Sequence, residues 1–110
     1  MTYQHKELAA GRWSQLTFLE QMANIGGEVE RALNWQTKHN VAYCERAVER
    51  ALELIDLTLA SVNSSSRLRE LARVREALVD YFSGTNQYAS TDASWRTYFL
   101  PFVYAARRTH

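Results

Sequence analysis

The chain has 110 residues, is 46% hydrophobic and carries a formal net charge of +1. This suits one domain, residues 1–110, with a single modest core, and gives no general attraction to nucleic acid or an anionic membrane. Cys44 is the only cysteine, which excludes an internal disulfide and any metal set built on cysteine.

No apolar run approaches the ~18 residues of a membrane span, and the N-terminal MTYQHKELAAGRW has no signal-peptide layout. The expectation is a cytoplasmic protein without a membrane partner. Breakers are sparse: Gly11, Gly26, Gly27, Gly84 and Pro101. With so few turn residues and long 3.6-residue periodicities, the chain reads as all-α.

The first helix is expected from about Gly11 to about Lys38. Leu16, Leu19, Met22, Ala23, Val29 and Leu33 lie along one side, widened by Phe18, Ile25 and Ala32 to an apolar arc of roughly 200°. Such a helix touches neighbours on more than one side. Gly26-Gly27 falls inside the pattern without a phase jump, so the helix is read as continuous, with Ala23, Gly26 and Gly27 letting another element come close. Thr37–Asn40 is a turn. The second helix, Val41–Ser61, carries one stripe of Val48, Leu52, Ile55, Leu59 and Val62 and an adjacent one of Ala47, Ala51, Leu54 and Thr58.

Asn63–Ser66 is the next turn, with Ser66 as an N-cap for the third helix. That helix ends at Ser83-Gly84. Leu68, Leu71, Leu78, Val79 and Phe82 fall on one face, with Arg75 among them. After a polar loop, Thr91 or Asp92 caps a fourth helix that buries Trp95, Phe99, Phe102 and Ala106 and is kinked at Pro101. Leu100 and Tyr104 face away from that stripe. Short connections between four helices imply an up-down-up-down four-helix bundle. The spare faces of the first and fourth helices suggest a homodimer.

Arg75 is the candidate site. A guanidinium on an apolar face needs a partner. Counting outward from each turn places it level with about residue 54, within one turn of Asp56, and level with the gap at Ala23–Gly27 and the Tyr98–Phe102 aromatics. One reading is an ion pair with Asp56, or with Glu20, Glu28 or Glu49, that fixes register. The other is a pocket in which Arg75 holds an anionic small ligand by a bidentate contact.

Trp35 shares a polar flank with Glu28 and Arg31, a placement typical of an interface with a protein partner. Arg96, Arg107 and Arg108 near Tyr98 and Tyr104 would suit RNA by charge and stacking. No Glu-x-x-His pair supports a metal centre, and Cys44 reads as a small core residue rather than a nucleophile. No cofactor motif is present.

The stretches VERALNWQTKHNVAYCERAVERALELIDLTLAS and RLRELARVREALVDYF resemble the helical hairpins of HEPN-type bundles, and the whole chain is similar to small prokaryotic four-helix proteins. The HEPN resemblance covers residues 28–82. It implies a superfamily of toxin ribonucleases and nucleotidyltransferase partners, whose ribonuclease motif is Arg, four to six residues, then His. Arg31 and His39 are separated by seven, and Arg107 and Arg108 lie too close to His110, so the resemblance implies a non-catalytic member. The leading expectation is a non-catalytic binding or accessory protein that homo-oligomerises. The alternatives are a HEPN-like RNA-binding or toxin–antitoxin component and a small anionic-ligand binder centred on Arg75.

Overall fold

The structure, a computed structural model, describes residues 11–108; His5 and His110 lie outside them. Four α-helices account for most of the chain: α1 Phe18–Thr37, α2 Val41–Ser61, α3 Ser65–Ser83 and α4 Asp92–Arg108. No strand forms among the described residues. The helices pack as a bundle in which α1 lies against both α2 and α4. One apolar cluster draws on all four helices.

The expected first helix is broken. Trp13–Gln15 forms a separate 3-10 turn, Leu16 is extended, and α1 begins only at Phe18. The reason is a capping box: the Thr17 hydroxyl accepts from the Glu20 amide and the Glu20 carboxylate accepts from the Thr17 amide. Trp13 is then free to turn into the core, where its indole N–H donates to Thr58 Oγ1 at 2.9 Å. Gln21, also buried, donates to the Trp13 carbonyl at 3.0 Å.

Helix α2 has the expected bounds, but its core face is rotated. Ala47, Ala51, Leu54, Ile55 and Thr58 are buried, while Val48, Leu52 and Leu59 are only partly so. The small residues face α1, where the backbones come closest. Helix α3 is capped by Ser64, two residues earlier than expected, through the Arg67 amide. It buries Leu71, Val74, Ala77 and Leu78, while Val79 is exposed. Thr91 and Ser94 cap α4 reciprocally, each hydroxyl accepting from the other's amide. Helix α4 continues through Pro101.

Two residues fix the α3–α4 connection. Both Asp80 carboxylate oxygens accept loop amides, from Gln87 at 2.9 Å and Tyr88 at 3.0 Å. Asn86 exchanges two side-chain hydrogen bonds with the Ser90 backbone. Tyrosine–carboxylate bonds add to this: Tyr81 donates to Asp92 and Tyr98 donates to Glu70, each joining α3 to α4.

Gly26 and Gly27 do not interrupt α1. Gly26 lies on Phe99, and a Cβ there would come within 2.9 Å of the Phe99 Cβ. A Cβ on Gly27 meets nothing within 4 Å. The expected close approach is therefore real, but α4 makes it through Phe99. Adjacent glycines should respond to alanine with opposite signs. Gly27→Ala stabilises the protein by about 0.5–1 kcal/mol through helix propensity. Gly26→Ala destabilises it by about 1–3 kcal/mol through overpacking. Urea denaturation of both variants checks this; equal shifts would contradict the crossing.

Candidate functional site

Arg75 does pair with Asp56. Its Nε donates to Oδ1 at 2.8 Å and a terminal nitrogen to Oδ2 at 3.3 Å. The hydrogen bond it donates to Asp56 favours the charged guanidinium and pushes the Arg75 pKa up. The expected setting is corrected. The Arg75 and Asp56 side chains are 39% and 44% exposed, so the pair is not sealed in an apolar layer. The buried arc of α3 is centred on Val74 and Leu78, which puts Arg75 at its edge. The space at Gly26 belongs to Phe99, and Tyr98 turns to Glu70 instead of Arg75. Arg75 is a surface clasp between α2 and α3.

Three other predicted residues, Glu28, Arg31 and Trp35, lie elsewhere, on the α1–α2 hairpin. Helix α1 ends in a Schellman arrangement: the Asn40 amide donates to the Trp35 carbonyl at 2.9 Å and the His39 amide to Gln36 at 3.0 Å. His39 occupies the left-handed position, φ 58°, where glycine is usual. Asn40 then caps α2 by accepting from the Tyr43 amide at 3.1 Å. This tight reversal sets Trp35 edge-on to Tyr43, with ring centroids 4.8 Å apart.

Below that aromatic pair lies Glu28, with its side chain only 8% exposed. Arg31 contacts one carboxylate oxygen at 2.8 Å and Arg50 the other at 3.1 Å. Two guanidinium groups thus share one buried carboxylate, which offsets the cost of burying it. Above it, Lys38 lies 5.1 Å from the Trp35 ring centre and Arg46 lies 5.3 Å from that of Tyr43. Trp35, Tyr43, Arg46 and Arg50 line a hollow of about 240 Å³. Arg46 and Lys38 have no ion-pair partner among the described residues.

Sequence reasoning named Glu28, Arg31 and Trp35 but missed Tyr43, Arg46 and Arg50. Tyr43 and Arg46 were legible only in hindsight: across an antiparallel turn at His39, positions 35 and 43 are equidistant from it. Helix-wheel reasoning within α2 does not reveal this. Arg46 and Arg50 are spaced i,i+4 and share a face with Tyr43. Among the described residues no three His, Cys, Asp or Glu side chains are gathered as a metal set, and burial pushes the Cys44 thiol up, away from the reactive thiolate.

Comparisons with protein-family models, with curated proteins and with solved structures find no match to this chain. No described helix is long and apolar enough to cross a membrane.

The two ion-pair sites should differ in weight. Arg75→Met removes a half-exposed pair and should cost less than about 1 kcal/mol. Glu28→Ala leaves Arg31 and Arg50 without their shared acceptor and should cost about 1–3 kcal/mol. Chemical denaturation ranks them; a larger loss at Arg75 would return it to the core.

A second expectation concerns alkaline pH. Burial first, and then the Asp92 hydrogen bond, pushes Tyr81 up to about 12; burial and Glu70 push Tyr98 upward in the same way. The folded state holds these phenol protons more tightly than the unfolded chain, whose phenols titrate near about 10. Their contribution is complete below that pH and is lost as pH rises through the folded values. The melting temperature should therefore fall steeply above about pH 10. The double variant Tyr81→Phe, Tyr98→Phe should start less stable and fall less steeply; an unchanged slope would refute the linkage.

Proposed function

We propose that this is a non-catalytic binding or accessory protein that homo-oligomerises and meets a protein partner through the hollow at the α1–α2 hairpin. The observation that carries the reading is the Trp35–Tyr43 pair flanked by Lys38 and Arg46. Tryptophan, tyrosine and arginine are the residue types that dominate binding hot spots. A hollow of about 240 Å³ is below the ~300 Å³ at which drug-sized ligands are enclosed, so it suits one side chain of a larger partner. Arg46 and Lys38 favour a carboxylate beside that side chain. Glu28 with Arg31 and Arg50 holds the platform still from beneath.

Self-association is supported by Leu100 and Tyr104, which are 65% and 62% exposed on α4. The up-down-up-down arrangement is supported by pairs of cross-helix contacts. Glu28 meets Arg50 while Trp35 meets Tyr43, and Glu70 meets Tyr98 while Tyr81 meets Asp92. In each case, later residues on one helix meet earlier residues on the next. A cytoplasmic location is in keeping with the unpaired Cys44.

RNA is the second reading, favoured by cations lying over aromatic rings at the same hollow. Four acidic residues between positions 28 and 50 (Glu28, Glu30, Glu45 and Glu49) balance the four Lys and Arg there, which weakens the phosphate attraction RNA binding requires. A HEPN-like toxin–antitoxin role has only the helical pattern behind it. The small anionic-ligand reading at Arg75 is disfavoured because Asp56 already fills its fork.

Trp35→Ala and Arg46→Glu test the proposal. Each should keep the wild-type melting temperature within a few degrees, yet lose a partner that cross-links to the tagged wild-type protein. A salt-dependent RNA gel shift, abolished by Arg46→Glu, would replace the protein reading with the RNA one. Sedimentation should give a dimer at high micromolar concentration; a monomer there would remove the homo-oligomer.

A further inference from the structure

Helix α1 is engaged on three sides. Its core face meets α2, its Glu28 flank supports the hairpin hollow, and its third face forms a trough with α4. This trough has a volume of about 360 Å³ and is floored by Gly26, Gly27, Val29 and Phe99. Val103 and Arg107 continue it past Ala23. Followed from Ala23 to Leu33, α1 meets α4 from Ala106 back to Trp95. Glu30 marks one end of the trough, held by Arg96 Nε at 3.0 and 3.1 Å. Arg107 marks the other end and has no ion-pair partner among the described residues.

We infer that a second copy of this chain covers the trough by packing its α4 antiparallel to the first α4 about a two-fold axis near Leu100 and Val103. This rests on the homo-oligomer proposed above and specifies its interface. Three observations favour a second copy over other occupants. Leu100, Val103, Tyr104 and Arg107 fall at i, i+3, i+4 and i+7, the spacing of a helix that fills a groove; Leu100, Val103 and Arg107 line the trough itself, and Tyr104 is exposed beside them. Surface and receptor therefore lie side by side on one molecule, as an isologous contact requires. The charges also match. Arg96 and Arg107 are eleven residues apart, about 16 Å along a helix. A two-fold axis midway between them brings each Arg107 to the second copy's Glu30, which it would share with that copy's Arg96. Finally, Gly27 leaves the floor open where the opposing ridge would enter.

Gly27→Leu is the decisive variant. Its side chain projects into open space within the monomer, so folding should be kept, but it fills the trough. In sedimentation equilibrium it should be monomeric at concentrations where the wild type is dimeric. Arg107→Glu should weaken the dimer by about tenfold, and adding Glu30→Lys should restore it by reversing the pair. In a Cys44→Ser background, Leu100→Cys should be joined to its own symmetry mate by a short bis-maleimide, and Ala72→Cys on α3 should not. A wild-type monomer throughout overturns self-association and this interface with it. A dimer that survives both Gly27→Leu and Arg107→Glu overturns this interface alone and leaves the homo-oligomer standing.

Discussion

The contact on which the bundle turns is Gly26 against Phe99. A helix that packs on two sides must let at least one neighbour approach its backbone, and α1 does so at a residue with no side chain. Because α4 reaches the α1 backbone there, Phe99 and Trp95 become core residues, 4% and 6% exposed. Their rings stack with centroids 6.3 Å apart. The same approach leaves the next residue of α1, Gly27, uncovered. One glycine joins the helices and its neighbour opens the trough, so the α1–α4 core and the apolar surface beside it have a single cause.

Polar groups divide similarly between holding helices together and remaining available. Tyr81–Asp92 and Tyr98–Glu70 join α3 to α4 in part-buried settings, and Arg75–Asp56 and Arg96–Glu30 each join two helices at exposed edges. Bonds of this kind contribute little individually when solvent screens them, but they select one register among sliding alternatives. Glu28 differs because it is buried and takes two guanidinium groups. Among the described residues it is the one charged side chain buried in the bundle, and its partner Arg50 lines the hollow with Trp35 and Tyr43.

Much of this was legible in the sequence, and the failures have identifiable physical origins. The Arg75–Asp56 pair followed from counting residues away from the turn, because antiparallel helices keep equal distances from their connection. Its exposure follows from the phase of α3: the buried arc runs through Val74 and Ala77 and leaves Val79 outside. A small shift of phase moves a residue from the centre of an arc to its edge. The break before α1 was also written in the chain, as Thr17-x-x-Glu20, but the apolar periodicity continued across it and outweighed the cap. Helical wheels describe one helix at a time; the hairpin hollow depends on a turn that brings two helices together.

His39 adopts a left-handed conformation without being glycine, which costs about 1 kcal/mol or more, and Asn40 serves both as the residue after the α1 stop and as the α2 cap. The strain persists because both hydrogen bonds of the reversal are made and because Trp35 packs on Tyr43 across it. Glycine at position 39 would make the same reversal and hydrogen bonds without that strain, but would leave the connection between the two rings more flexible. The rigidity of this end therefore comes from local chain geometry, with the core playing a lesser part. A preformed aromatic platform of this kind would lose little conformational entropy on meeting another surface.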